Sequence, residues 1–290
     1  MFTGAFTAIV TPFANGKVDE VRLRDQIEFQ VREGINGIVA VGTTGEAPTL
    51  EFEEQSRVIE QVMKFAKGRV PVIAGVGANS TTEAIKLHKF AKSLGVRAGL
   101  SVNPYYNKPT QDGLCRHFLT IADAVDLPIV LYNVPSRCGV SMSPASVARL
   151  HNASPRLFTA IKEASGSCDA VSEIRQLCDI TVLSGDDSLT LPMMSVGASG
   201  VISVLSNVVP GAVAKMVKLF LDENTQEART LHDRYFNLTK HLFVDGNPGG
   251  VKYAMKLLKR DSGEMRLPLV DVNDATKKMI EADLKKLGLL

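Results

Sequence analysis

The sequence predicts an α/β protein, namely a (β/α)8 TIM barrel with a C-terminal helical extension. Eight short apolar runs rich in β-branched residues recur along the chain, and such runs are typical of parallel strands that are buried on both faces. Segments with the helical spacing of apolar residues lie between them. The repeat averages roughly 20 to 35 residues, the size of one strand–helix unit, and eight such units close into a barrel.

A doubly wound open sheet is the alternative fold, but no GxGxxG motif follows the first apolar run. The eight predicted strands cover residues 7–10, 37–41, 70–76, 98–102, 128–132, 157–162, 180–184 and 200–204. The predicted helices between and after them cover residues 20–33, 52–66, 82–93, 114–124, 143–150, 168–177, 189–196 and 212–221.

Only helical segments follow the eighth unit, at residues 225–242, 250–258 and 273–287. Glycine and proline punctuate the connections between them. We therefore divide the chain into a barrel of residues 1–224, which carries the active site, and a helical extension of residues 225–290. The extension is expected to pack on the outside of the barrel and to have no chemistry of its own.

The composition excludes several classes of protein. The formal net charge of the 290 residues is +2, and no basic stripe with interleaved aromatic residues suggests nucleic-acid binding. No apolar run approaches the roughly 18 residues of a membrane span, and the first residues do not resemble a secretory signal. The four cysteines lack paired CxxC spacing and the five histidines form no HxH or HExxH motif, so we predict a cytoplasmic protein with reduced thiols and no metal.

Lys162 ends the apolar run of residues 157–162 and is the strongest candidate for catalysis. An amine at the end of a buried strand is partly withdrawn from water, which favours its neutral, nucleophilic form. Such an amine can form a Schiff base with a keto group. The structural alternative is a lysine whose stem packs and whose head reaches water.

Other polar groups follow the carboxyl ends of predicted strands, where barrel enzymes carry their active sites. The segment Gly42-Thr43-Thr44-Gly45 is either a tight turn with capping hydroxyls or a cradle for a carboxylate. Tyr132 is either a core ring or a proton donor and acceptor beside the lysine. Arg137 is either a solvated loop residue or a fork for a substrate carboxylate. Asp186 and Asp187 would repel phosphate, so we expect carboxylate substrates without phosphate.

Several longer motifs carry a specific resemblance over essentially the whole chain. They are Gly42-Thr43-Thr44-Gly45-Glu46, Asn103-Pro104-Tyr105-Tyr106-Asn107, Tyr132-Asn133-Val134-Pro135-Ser136-Arg137, Ile161-Lys162-Glu163-Ala164, Leu183-Ser184-Gly185-Asp186-Asp187 and Gly200-Val201-Ile202-Ser203. With these motifs in this order, the chain resembles the dihydrodipicolinate synthases of the pyruvate-dependent Schiff-base aldolase and lyase family. The resemblance implies condensation of pyruvate with L-aspartate 4-semialdehyde to 4-hydroxy-tetrahydrodipicolinate, in lysine and diaminopimelate biosynthesis.

The resemblance also implies roles for individual residues. Lys162 would form the imine with pyruvate, and Tyr132 would donate and accept protons. Thr43 and Tyr106 would complete a proton relay, with Tyr106 supplied by a neighbouring subunit.

Four further residues would bind the substrates, and the resemblance extends to assembly. Thr44 and the backbone of Ile202 would hold the pyruvate carboxylate, Arg137 would receive the carboxylate of the semialdehyde, and Gly185 would line the pocket. No metal or organic cofactor is expected, because the imine itself is the electron sink. The expected assembly is a homo-oligomer, with a tetramer built as a dimer of dimers; the sequence leaves dimer and tetramer open.

The sequence departs from the family pattern in two places. Cys138 follows Arg137 where the family usually has threonine, and a thiol forms weaker hydrogen bonds. The second departure concerns a lysine-binding regulatory site that some members have between subunits. Residues that match it are Asn79, Glu83, Tyr105 and Leu50, whereas Ala47, Phe52 and Gln55 stand where lysine-sensitive bacterial members usually have a serine and two histidines.

Two other functions remain open at this point. A sister enzyme that cleaves N-acetylneuraminate or a keto-deoxy sugar acid would use the same lysine and tyrosine, but it would need polyol-binding groups in place of Arg137. A barrel that only senses a keto acid would not need a competent residue at every catalytic position.

Overall fold

The computed structural model describes residues 2–290 and has the predicted fold. Eight parallel strands close into a barrel, and helices connect successive strands. The (β/α)8 barrel and the C-terminal helices are therefore confirmed. Within residues 2–290, no helix is both long enough and apolar enough to cross a membrane.

The strands and helices have the following bounds. The barrel strands are β1 (Gly4–Ala8), β4 (Gly37–Ala40), β5 (Val72–Gly75), β6 (Ala98–Val102), β7 (Ile129–Asn133), β8 (Phe158–Glu163), β9 (Thr181–Ser184) and β10 (Gly200–Ser203), and β2 (Phe13–Ala14) pairs antiparallel with β3 (Lys17–Val18). The helices are α1 (Glu20–Arg32), α2 (Phe52–Ala66), α3 (Thr81–Ser93), α4 (Gln111–Ala124), α5 (Pro135–Cys138), α6 (Pro144–Ala153), α7 (Cys168–Leu177), α8 (Thr190–Ser195), α9 (Pro210–Leu221), α10 (Thr225–His241), α11 (Gly249–Leu257) and α12 (Asp274–Lys286).

The first strand differs from its prediction, because it begins at Gly4 and ends at Ala8 instead of covering residues 7–10. Beyond Ala8, the backbone N–H of Val10 donates to the side chain of Asn207 at 3.2 Å instead of to a neighbouring strand. The short β2–β3 hairpin and α5 were not predicted, since elements of two to four residues are too short to show a period.

The chain divides into two compact units. The first comprises Ile73–Ile202 with the N-terminal residues through Gly4, and in it β6, β7, β8 and β9 form a continuous parallel ladder. The second comprises Ala5–Val72 and Ser203–Leu290, and in it β1 pairs with β4 while α10 packs against α9 and α12. The functional boundary after residue 224 stays a prediction.

Candidate active site

Lys162 and Tyr132 lie side by side on neighbouring strands of the first unit. They are paired in the register of β8 and β7, so their side chains project from the same face of the sheet. The Nζ atom of Lys162 lies 4.4 Å from the centroid of the Tyr132 ring. Only 5% of Lys162 and 6% of Tyr132 is exposed. The structure therefore brings together the two residues to which the sequence assigned the central chemistry.

A one-residue register shift between β7 and β8 creates this pairing. The shift follows Ile129 and leaves Thr159 as the extra residue of β8. Without it, Lys162 would lie opposite Asn133 instead of Tyr132. Because side chains alternate between the two faces of a strand, a shift of one residue decides whether amine and phenol share a face.

Gly185 provides the space that the Lys162 side chain occupies. A Cβ atom at this position would lie 2.5 Å from Cβ of Ala164 and 3.1 Å from both Cγ and Cε of Lys162. The backbone N–H of Gly185 also donates to the carbonyl of Glu163 at 2.7 Å. A larger side chain at position 185 would therefore displace Ala164 or the lysine stem, and the role of Gly185 in lining a substrate pocket stays a prediction.

A buried polar network holds the ends of β6, β7 and β8, and the sequence analysis gave it no role. Asn103 donates from Nδ2 to Oδ1 of Asn133 at 3.0 Å, and Asn133 donates from Nδ2 to Oε2 of Glu163 at 3.0 Å. Oδ1 of Asn133 also accepts from the backbone of Met142 at 2.9 Å. Asn133 and Glu163 directly follow Tyr132 and Lys162, so the network fixes the chain beside both. The sequence feature that could have predicted this network is the polar residue at the end of each of these three strands.

Arg137 lies on the one-turn helix α5, directly after the strand that carries Tyr132. Its side chain is exposed, whereas Cys138 next to it is buried. Burial raises the pKa of the Cys138 thiol to about 11, and the charge of Arg137 opposes the shift. The thiol therefore fills a buried position as a neutral group.

Tyr106, a predicted catalytic residue, is exposed on the surface of the chain. Its side chain is 91% exposed, and its backbone has φ = 73°, in the left-handed region. A non-glycine residue held there costs roughly 1 to 3 kcal/mol. The loop thus presents the phenol outwards.

Three residues of the predicted lysine site lie together in the first unit. Burial and the charge of Glu83 raise the pKa of the Tyr105 phenol, and a hydrogen bond from the backbone of Asn79 lowers it. Asn107 holds this segment by donating from Nδ2 to the carbonyl of Asn79 at 3.0 Å. In the second unit, Leu50 is buried.

Ile202, whose backbone is predicted to hold the pyruvate carboxylate, is buried on β10. Ile202 therefore lies near the carboxyl end of its strand, as Tyr132 does on β7 and Lys162 does on β8.

The threonine pair of the second unit sits in a strained turn after β4. Val41 and Glu46, at the two ends of this turn, have φ = 55° and 57°, and positive φ is a genuine outlier for a β-branched residue. Thr44 is buried and Thr43 is partly exposed. The hydroxyl of Thr11 donates to the carbonyl of Gly45 at 2.7 Å.

Residues of the C-terminal extension contact this turn, which the sequence analysis did not foresee. Asn247 donates from Nδ2 to Oγ1 of Thr44 at 3.0 Å. Lys252 donates from Nζ to Oε1 of Glu46 at 2.6 Å and to the carbonyl of Thr11 at 2.9 Å. The sequence feature that could have indicated this buried charge is Lys252 itself, which stands among the apolar positions of α11.

Comparison with known proteins gives one consistent result. The sequence model of the dihydrodipicolinate synthetase family matches residues 1–287 of this chain. A protein of Pelobacter propionicus named 4-hydroxy-tetrahydrodipicolinate synthase is 50% identical, and the alignment covers 100% of both chains.

Two solved structures are similar over the whole fold. A crystal structure of a dihydrodipicolinate synthase has a TM-score of 0.98 and 48% identity, with 100% of both chains covered. The structure of the chloride-inhibited dihydrodipicolinate synthase of Acinetobacter baumannii, complexed with pyruvate, has a TM-score of 0.96 and 42% identity, again with 100% of both chains covered.

Proposed function

Because this chain belongs to the dihydrodipicolinate synthetase family, we propose that it condenses pyruvate with L-aspartate 4-semialdehyde through a Schiff base on Lys162. The predicted enzyme class, a carbon–carbon bond-forming lyase of the 4-hydroxy-tetrahydrodipicolinate synthase type, is confirmed by full-length relatives of that name at about 50% identity. The assignment of each step to a residue is our proposal, and the pairing of Lys162 with Tyr132 carries it.

The reaction begins with attack of the Lys162 amine on the keto carbon of pyruvate. Loss of water gives an imine, and loss of a methyl proton converts the imine to an enamine. The enamine carbon forms a bond to the aldehyde carbon of the semialdehyde, whose oxygen takes a proton. The amino group of the semialdehyde then attacks the imine carbon, closes the ring and releases Lys162.

Tyr132 is the group best placed to move protons in these steps. Its phenol belongs to the ring that lies against the lysine amine, and a positioned proton donor contributes about 10² to 10⁴ in rate. We assign Thr43 and Tyr106 to the relay that connects this phenol to solvent. The exposure of Tyr106 supports its insertion into a neighbouring subunit.

We propose that the chain is therefore a homo-oligomer, with a tetramer as a dimer of dimers. Sedimentation of active enzyme tests this, and a fully active monomer would refute a site completed by Tyr106 of a second subunit.

Substrate carboxylates are assigned to the remaining predicted residues. Thr44 and the backbone of Ile202 bind the carboxylate of pyruvate, and Arg137 binds that of the semialdehyde. Support comes from their positions, since each lies near or just after the carboxyl end of a barrel strand, and barrel enzymes carry their active sites at such ends. We also propose a cytoplasmic biosynthetic role that needs no metal or organic cofactor.

The decisive experiment is reduction of the imine. Borohydride added with pyruvate should attach one pyruvate-derived group, and peptide mapping should place it on Lys162. Lys252 is an internal control, because its buried amine is paired with Glu46. An undiminished adduct in Lys162→Ala, or an adduct on Lys252, would contradict the assignment.

Substrate assays separate the alternatives. Turnover of aspartate semialdehyde supports the proposal, turnover of only sialic or keto-deoxy sugar acids identifies a sister lyase, and pyruvate binding without turnover identifies a sensor.

A further inference from the structure

Asn247 and Thr44 form a buried hydrogen bond between the C-terminal extension and the turn after β4. The Nδ2 atom of Asn247 lies 3.0 Å from Oγ1 of Thr44, and Asn247 and Thr44 are 7% and 2% exposed. We propose that Asn247 is a positioning residue for pyruvate, which acts by orienting the Thr44 hydroxyl as a hydrogen-bond donor to the substrate carboxylate. The inference deepens the proposed function and depends on the role given there to Thr44.

The direction of the hydrogen bond carries the argument. A threonine hydroxyl has one proton and two lone pairs, and its proton rotates to suit the surroundings. When an amide N–H donates to the oxygen, one lone pair is engaged and the hydroxyl proton must point elsewhere. A carboxylate is acceptor-only, so the hydroxyl that it meets must donate. Asn247 therefore selects the rotamer of the Thr44 proton that a carboxylate requires.

The backbone that carries Thr44 is held by the same extension. Lys252, five residues after Asn247, binds Oε1 of Glu46 at 2.6 Å and the carbonyl of Thr11 at 2.9 Å. Oε2 of Glu46 accepts from the backbone N–H of Arg266 at 3.2 Å. The turn is thus anchored at Glu46 while Asn247 acts on the side chain of Thr44.

Fixing both the backbone and the hydroxyl reduces the ordering that substrate binding would otherwise require. The extension then contributes to substrate binding, in contrast to the expectation that it has no chemistry.

Two substitutions of Asn247 distinguish this role from simple packing. Asn247→Ala removes the donor, and we expect KM and the calorimetric Kd for pyruvate to rise about two- to ten-fold. Asn247→Asp keeps the size but accepts the Thr44 proton and adds a negative charge, so we expect an increase of about ten- to a hundred-fold. A packing role predicts the opposite order, because aspartate preserves the volume.

A double-mutant cycle tests whether Asn247 acts through Thr44. In a Thr44→Val background, Asn247→Ala should change pyruvate affinity by less than about two-fold. His241→Ala is the control, since His241 lies in the same extension and bonds Asp283 of α12. It should lower stability and leave pyruvate affinity unchanged.

Equal pyruvate affinity in wild type and Asn247→Asp, or additive effects in the cycle, would overturn the inference. If the borohydride adduct on Lys162 persists in that case, the proposed function survives and only the role of Asn247 fails. If wild-type protein neither binds pyruvate nor forms the adduct, both fail together.

Discussion

Lys252 Nζ and Glu46 Oε1 are 2.6 Å apart, and neither side chain is accessible to solvent. The amine also lies 4.5 Å from the centroid of the Phe13 ring, and the guanidinium of Arg266 lies 4.6 Å from the same centroid. A buried pair of this kind compensates the cost of removing two charges from water only when its geometry and further hydrogen bonds are good. Here it links α11 to the turn that carries Thr44.

Breaking this pair should destabilise the protein strongly. Lys252→Met leaves the Glu46 carboxylate buried without its cation, and we expect the free energy of unfolding to fall by about 3 to 5 kcal/mol. The double variant Lys252→Met, Glu46→Gln should recover much of the loss, because no buried charge remains. Urea titrations of the three proteins measure this, and equal stability of the single and double variants would contradict it.

Gly185→Ala should impair catalysis by moving the lysine. The added Cβ would lie 2.5 Å from Cβ of Ala164 and 3.1 Å from Cγ and Cε of Lys162, so both residues must shift. A misplacement of about 1 Å costs as much as 10²-fold in rate. We expect kcat and the rate of borohydride trapping to fall together. Gly113→Ala in α4 is the control, since its nearest contact would be 3.3 Å from Pro109. Normal trapping in Gly185→Ala would show that the lysine stem adapts.

Arg137→Ala should affect one substrate and spare the other. Loss of a charged hydrogen-bond donor should raise KM for the semialdehyde by about ten- to a hundred-fold. Arg137→Lys should recover only part of the loss, because an ammonium lacks the bidentate fork. Pyruvate adduct formation should remain normal in both variants, and a parallel loss of adduct would place Arg137 elsewhere in the mechanism.

Two buried histidines should make the fold sensitive to mild acid. Burial lowers the pKa of His88 and of His117 from 6.5 to about 4. The unfolded chain therefore binds more protons between pH 6.5 and 4, and stability is complete above this window and is lost as the pH falls through it. For His88 the slope is at most roughly 1.4 kcal/mol per pH unit.

His88→Leu tests this dependence, since it removes the titrating imidazole and replaces it with an apolar side chain of similar size. Unfolding free energies measured from neutral pH to the acid limit of the window should decline less steeply than in wild type. An unchanged slope would assign the acid sensitivity to other groups.

Lysine should inhibit weakly or not at all. In the predicted lysine site, Asn79, Glu83 and Tyr105 retain polar groups, but the Gln55 amide donates to the carbonyls of Ala47 and Leu50 at 3.0 and 3.1 Å. Loss of one good hydrogen bond to a charged ligand reduces affinity about ten- to a hundred-fold. Steady-state assays across a lysine titration measure it. Half-inhibition at sub-millimolar lysine would show that the substituted positions do not matter.

Most of the barrel could be predicted because its elements are encoded locally. Buried parallel strands appear as apolar runs and helices as periodic ones, so β6 was predicted with its observed bounds, Ala98–Val102. The extra residue Thr159 could not be predicted in the same way. A register shift leaves the composition of both strands unchanged, and only the pairing reveals it.

The residues of the candidate site also include some that the local sequence predicts and some that only the folded chain brings together. Lys162 and Tyr132 were predictable as polar residues that end buried strands, because strand ends in a barrel converge wherever they occur in the chain. Asn247 and Lys252 lie in helices and loops more than 200 positions after Thr44 and Glu46, as the contact separations of 203 and 206 residues show. No local pattern encodes such a contact, since hydrogen bonding and ion pairing depend on distances that only the folded chain establishes.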